Sequence, residues 1–315
     1  MRRCLLASIQ VGFLCISAKV AIPLDAQQAS HSNPQPSEVI LGVLEDHPGN
    51  YSGEPHLRVV RAVFAKQGSE WRAFPSNCQN EACLKLLPSS YPQEVTWTIA
   101  FDGRNLGQVT AHTPIKFDFY ADAGVEYIIS AAVVPTVGKI STEFAGFLGE
   151  PVYRPLAAVS QPNFEDPEKW KPARLSREQV EAVRRQFRLK FPKVSNCLNS
   201  NEDTPKPWTY GNEDIEVSST YSSKRGWSLV RLGLNGYACD GPEDDDSPFI
   251  GHWYVIDPSG ASRLLGTGMI LIDAGDYDGD GKSEILFSVS GYNQGGYRLF
   301  YNDFSRSTEF LFSFH

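Results

Sequence analysis

Apolar residues fall along this chain in short runs, separated by Gly, Pro, Asn and Asp. Residues 39–44 form the first run. Residues 57–65 alternate loosely, meet Gln67-Gly68-Ser69 and return through Trp71-Arg72-Ala73-Phe74, the pattern of a hairpin. Residues 95–101 are rich in β-branched and aromatic side chains. Asp102-Gly103 behind them is a preferred hairpin turn, with 106–111 as the returning strand. Runs at 117–120 and 127–134 continue the pattern, and a short helix is expected over 80–87, ended by Pro88. About six or seven short strands predict a small sandwich or barrel over 37–155. Residues 156–174 hold Pro162, Pro167 and Pro172 with few apolar runs and read as a linker.

The pattern changes period once. Val180, Val183, Phe187 and Phe191 fall on one helical face, with Arg184, Arg185 and Arg188 elsewhere as a solvated basic face. Ser176 and Gln179 form a capping-box pattern, Leu175 can staple onto Val180, and Pro192 ends the helix. Strand-like runs then resume at 215–221, 227–234, 252–256, 269–272, 285–290, 297–301 and 310–314. The expected fold is mainly β with one amphipathic helix (about 176–191). Two β-sandwich or barrel-like domains, 37–155 and 175–315, are joined by the 156–174 linker.

Between the runs at 269–272 and 285–290 the chain reads Asp276-Tyr277-Asp278-Gly279-Asp280-Gly281-Lys282-Ser283-Glu284. Carboxylates at alternate positions can point to one centre, and Gly279 and Gly281 let the backbone turn tightly around it. Calcium takes six to eight oxygen ligands in such a flexible shell, whereas magnesium usually keeps several waters. An EF-hand would need a bidentate Glu at the twelfth position and flanking helices. Phe287 stands there, inside a strand-like run.

The Asp-x-Asp-x-Asp-Gly-x-x-Glu pattern leading into an apolar strand resembles the calcium loops of FG-GAP and VCBS-type repeats over residues 268–290. That resemblance implies side-chain ligation by Asp276, Asp278, Asp280 and Glu284 and carbonyl ligation by Lys282, around a structural calcium. Two departures stand beside it. The last ligand is more often Asp in those repeats, and their Phe-Gly and Gly-Ala-Pro half is not visible. The loop also occurs once, and a propeller needs at least four blades of roughly 40–50 residues, so no closed propeller is expected.

The N-terminus changes the expected compartment. Arg2 and Arg3 precede an apolar stretch over 4–16, and Leu24-Asp25-Ala26 before Gln27 has the form of a cleavage site. Residues 1–26 read as a signal peptide and 27–36 as a disordered leader, which implies a secreted or periplasmic protein. The signal and the calcium loop together resemble those of secreted bacterial proteins. Removing the signal takes away three cations and one carboxylate, moving the formal charge from −8 to −10. So acidic a protein is a poor candidate for nucleic acid, and no later segment is apolar enough to span a bilayer.

Four cysteines remain: Cys78, Cys83, Cys197 and Cys239. An even count in a secreted chain suggests two disulfides in any of three pairings, with Cys78–Cys83 and Cys197–Cys239 keeping each pair inside one expected domain.

Candidate catalytic chemistry is sparse. No Gly-x-Ser-x-Gly, His-Glu-x-x-His or phosphate-binding glycine loop is present. His47, His56, His112 and His252 are scattered. A second acidic run, Asp240, Glu243, Asp244, Asp245 and Asp246, lacks the alternate spacing of a calcium loop. The expected role is non-catalytic binding of a protein or glycan at a cell surface, with a structural calcium and with Trp97, Trp208, Trp227 and Trp253 as candidates for an aromatic patch. A secreted hydrolase with an unrecognised carboxylate or His site is the alternative.

Overall fold

A computed structural model describes residues 39–47, 57–76, 91–116, 125–129, 133–144, 151–196, 206–236, 247–291 and 294–313. The expected elements at 80–87 and 117–120, Cys78, Cys83, Cys197 and Cys239, the second acidic run and the N-terminal 38 residues lie outside them.

The first seven strands are β1 (Ile40–His47), β2 (Leu57–Gln67), β3 (Glu70–Ala73), β4 (Glu94–Phe101), β5 (Arg104–Lys116), β6 (Val125–Ile129) and β7 (Leu156–Val159). They form one antiparallel sheet in the order β1-β7-β4-β5-β6-β2-β3, and β1 also pairs with β2, so the ladder meets itself in a barrel-like arrangement. The two predicted hairpins are present. Gly68 turns β2 into β3 at φ 60°. Asp102 (φ 52°) and Gly103 (φ 67°) join β4 to β5, both left-handed as a tight two-residue hairpin requires.

The chain continues through β8 (Lys171–Pro172), helix α1 (Arg177–Lys190), β9 (Val194–Asn196) and β10 (Lys206–Trp208). Next come β11 (Ile215–Ser222), β12 (Ser228–Leu234), β13 (His252–Ile256) and β14 (Ser262–Thr267). These four join β8 in a second sheet ordered β14-β13-β12-β11-β8. Last come β15 (Met269–Gly275), β16 (Glu284–Gly291), β17 (Gln294–Tyr301) and β18 (Arg306–Ser313), a four-stranded meander. The fold is thus mainly β with one amphipathic helix, in several separate sheets, as the periodicities predict.

The alternation of side chains explains how these sheets stack. Leu286, Tyr297, Leu299, Tyr301 and Phe310 of the meander pack with the barrel-like sheet. Their neighbours Ile285, Phe287 and Phe300 point the other way, onto Leu229, Trp253 and Val255 of the second sheet. Val230, Tyr254 and Ile256 on that sheet's far side meet Val183 and Phe187 of α1 and Phe191 at its C-terminal cap. The meander is therefore a middle layer buried on both faces. That is why the sequence at 285–287 is a continuous apolar run rather than an alternation.

The capping box at the start of α1 is formed. The Ser176 hydroxyl accepts from Gln179 N at 3.2 Å, and the Gln179 side chain accepts from Ser176 N at 2.9 Å.

The stretch 156–174 is not a free linker. Leu156–Val159 is fully buried and pairs with β1 on one edge and β4 on the other. Its Ala157-Ala158 core has little apolar bulk, so its strand character comes from two neighbouring edges far away in sequence. Residues Ser32–His315 form one compact unit, and the first core is shared between residues 40–159 and the meander.

Candidate metal centre

The acidic loop joins β15 to β16, as expected from the two apolar runs. Gly279 (φ 76°) and Gly281 (φ 86°) both take the left-handed conformation that lets the chain curl inward. Asp276 organises the curl: its Oδ1 accepts from Gly279 N (2.7 Å) and Asp280 N (3.0 Å), and its Oδ2 from Gly281 N (2.8 Å). Asp278 Oδ1 accepts from Asp280 N at 3.1 Å.

The loop is anchored from below by Tyr277, which is fully buried and stacks on Phe164 (centroids 5.7 Å apart). Gln161 Nε2 donates to Tyr277 O at 3.0 Å, and Asp276 N donates to Glu165 O at 3.0 Å. The segment 161–165 thus holds the loop against the barrel-like sheet.

Of the four expected side-chain ligands, the structure brings three together. Carboxylate oxygens of Asp276, Asp278 and Glu284 lie within 4.8 Å of one another. Asp280 is not in this group; it is exposed, and its Oδ1 accepts from Lys282 N at 2.8 Å. The Lys282 ammonium turns away to Asp303 (3.1 Å) on the β17–β18 turn.

Glu284 is 2% exposed, with Oε2 accepting from Tyr277 N at 2.8 Å. Burial pushes its pKa well up, and Asp278 adds to the shift. Burial also raises Asp276. A positive charge at the centre would reverse both effects.

One cation is already there. The Lys66 ammonium, from the end of β2, pairs with Asp278 Oδ2. It lies between the rings of Trp71 (5.4 Å) and Tyr301 (5.9 Å). Lys66 is over two hundred residues from the loop in sequence, and nothing in the local pattern around it announces this contact.

The remaining candidates are placed as follows. Trp97 and Trp253 are buried in cores, so they form no surface patch; Trp208 and Trp227 are half-buried. His252 is fully buried against Phe187 and Phe191, with Nε2 2.9 Å from Ser247 O. His112 is paired with Glu94 at 3.0 Å.

No family model, curated protein or solved structure matches the chain. No helix among the described residues is long and apolar enough to cross a membrane.

Proposed function

We propose that this chain is a secreted calcium-binding protein that acts by binding a protein or glycan at a cell surface, with no catalytic role. The ion would act as a structural clip at the β15–β16 corner. The observation that carries the reading is the convergence of Asp276, Asp278 and Glu284 on one centre, with Glu284 almost wholly buried. A buried carboxylate crowded by two others is costly unless a cation joins them. The signal-like N-terminus supports export, and the absence of a recognisable catalytic motif supports binding.

The test is thermal unfolding of the mature chain in EDTA and in millimolar calcium. At ten times Kd the ion adds about 1.4 kcal/mol. The melting temperature should therefore rise by a few degrees with calcium, and Asp276→Asn should abolish the rise. Asp276 is the better loop variant because Asp278 also holds Lys66. No calcium response up to about 10 mM, beyond the range of extracellular modules, would sink the reading.

A second reading rests on the Lys66–Asp278 pair. In it the ammonium is itself the counter-ion of the loop and no metal enters. It requires that EDTA and calcium leave the melting temperature unchanged while Lys66→Met lowers it. Under the calcium reading Lys66→Met keeps the calcium response.

A further inference from the structure

The turn between β17 and β18 takes a conformation that one of its residues resists. Asn302 (φ 51°), Asp303 (φ 57°) and Phe304 (φ 59°) are all left-handed. Asn and Asp tolerate that region, but a bulky aromatic residue enters it only when its surroundings hold it there. Here the turn is held from outside. Asp303 pairs with Arg225 at 2.7 Å and with Lys282 at 3.1 Å, and the Phe304 carbonyl accepts from Arg263 Nη2. The Phe304 ring, 6% exposed, lies against Trp227 with centroids 5.3 Å apart and against Trp170 at 5.9 Å. Strained residues held this firmly cluster at ligand clamps and active sites.

The strained turn forms one wall of a cleft of about 350 Å³. Trp227, at the entry to β12, and the β13–β14 turn with Asp257, Ser262 and Arg263 line the rest. Trp227 is half-buried and Arg263 is exposed. The polar groups offer both kinds of hydrogen bond. Asp257 Oδ1 accepts from Ser259 N (2.8 Å), the Ser259 hydroxyl (2.6 Å) and Ala261 N (3.0 Å), which fixes the carboxylate. These bonds, that of the Ser259 hydroxyl above all, hold its pKa below the usual carboxylate range. Asp257 Oδ2 makes no hydrogen bond among the described residues and stays open as an acceptor. Arg263 uses Nη2 on the Phe304 carbonyl and keeps Nε and Nη1 as donors.

Size, rings and charges narrow the ligand. The cleft lies at the lower end of the ~300–1,000 Å³ of small-molecule pockets. It is roughly twice the ~150 Å³ that takes one benzene-sized ring. Ring surface beside an acceptor and a donor suits a molecule with an apolar C–H face and hydroxyls at its edge, since a hydroxyl both donates and accepts. Asp257 and Arg263 carry opposite charges and Asp303 is already paired, so the cleft favours a neutral ligand. A peptide would need a longer track. The cleft reaches only Ser262 and Arg263 at the start of the β14 edge, too few residues to pair with an added strand.

We propose that this cleft binds a neutral sugar, with a pyranose ring on Trp227 and its hydroxyls bonding to Asp257 and Arg263. The proposal rests on the surface-binding reading above, for which it selects a glycan and names the place, but it requires no calcium.

The experiment titrates cellobiose, lactose and maltose, neutral disaccharides that differ in linkage and stereochemistry, into the full mature chain. Binding is followed by ¹H–¹⁵N correlation spectroscopy and calorimetry, with sodium glucuronate as the charged comparison. At least one disaccharide should bind saturably with Kd below about 10 mM, and more tightly than glucuronate. Asp257→Asn keeps the Oδ1 that holds the turn but turns Oδ2 into a donor, and should weaken that sugar at least about tenfold. Trp227→Leu removes the ring face and should weaken it by a similar factor. Should Trp227→Leu fail to fold, Asp257→Asn carries the test. The proposal is overturned if none of the three disaccharides binds saturably up to about 50 mM. It is equally overturned if the sugar binds Asp257→Asn undiminished, or if glucuronate binds as tightly as the best disaccharide. Repeating the titration in EDTA separates this proposal from the calcium loop. Sugar binding without any calcium response would refute the calcium clip alone, and a calcium response without sugar binding would refute the cleft alone.

Discussion

Arg61→Met tests how the barrel-like sheet is fastened to the meander. Arg61 is 3% exposed. Nε donates to Glu45 Oε1 at 2.5 Å and Nη2 to Glu126 Oε1 at 2.6 Å; the Tyr297 hydroxyl, from β17, donates to Glu45 Oε2 at 2.9 Å. Burial works against the guanidinium charge, but Glu45 and Glu126 outweigh it and leave the pKa raised. Met fills much of the same volume and donates nothing, so Glu126, 1% exposed, loses the guanidinium that faces it. Breaking one side of a buried pair typically costs 3–5 kcal/mol, which for a chain of this size is a fall of roughly 6–20 °C in melting temperature. Urea unfolding followed by circular dichroism and tryptophan fluorescence measures the loss directly. Adding Glu126→Gln removes the carboxylate that faced Arg61, so the double variant should recover part of it, with a coupling of at least about 1 kcal/mol. A loss below about 1 kcal/mol for Arg61→Met, or simple additivity with Glu126→Gln, would refute the network as the fastening.

Burial raises the pKa of Asp273 to about 7. The folded state therefore holds a proton that the unfolded state, with a pKa near 3.9, releases. Stability from this group is present at low pH and is lost as pH rises from about 4 to 7, at up to about 1.4 kcal/mol per pH unit. Subtracting the pH–stability profile of Asp273→Asn from that of the parent should leave this slope; a flat difference would contradict it. Ser176→Ala removes the α1 cap and should cost about 1 kcal/mol in urea unfolding, whereas Ser176→Asp should cost little. Gly296 sits in β17 at φ 148°, and a Cβ there would run into the Phe310 carbonyl of β18. Gly296→Ala should cut the yield of folded protein sharply, and normal yield and melting temperature would count against the strand spacing described.

What the sequence could reveal was local. Asp102-Gly103 and the Ser176–Gln179 box each carry their geometry in adjacent residues and take the expected form; of the alternating carboxylates of 276–284, Asp276, Asp278 and Glu284 come together and Asp280 does not. β7 was illegible because Leu156-Ala157-Ala158-Val159 becomes a strand only through edges supplied by residues 41–44 and 98–100. Lys66 and Arg61 were illegible for the same reason: an isolated basic residue in an apolar run says nothing about which distant carboxylate will face it. The acidic cluster was therefore legible in its residue types. Its membership was not, because Asp280 points to solvent and Lys66 enters from another sheet.

The meander is the middle layer of the stack, yet it is made of residues 269–313, after both of the layers that enclose it. Order of synthesis thus runs against order of burial. Until those residues have left the ribosome, the barrel-like sheet and the second sheet each carry an apolar face with nothing to cover it. Both faces are exposed to aggregation, and the long-range closure that buries them is an intrinsically slow step. A chain stopped before residue 269 would present two sticky surfaces rather than two finished domains. The complete chain would reach its native state in a late step that closes both cores together.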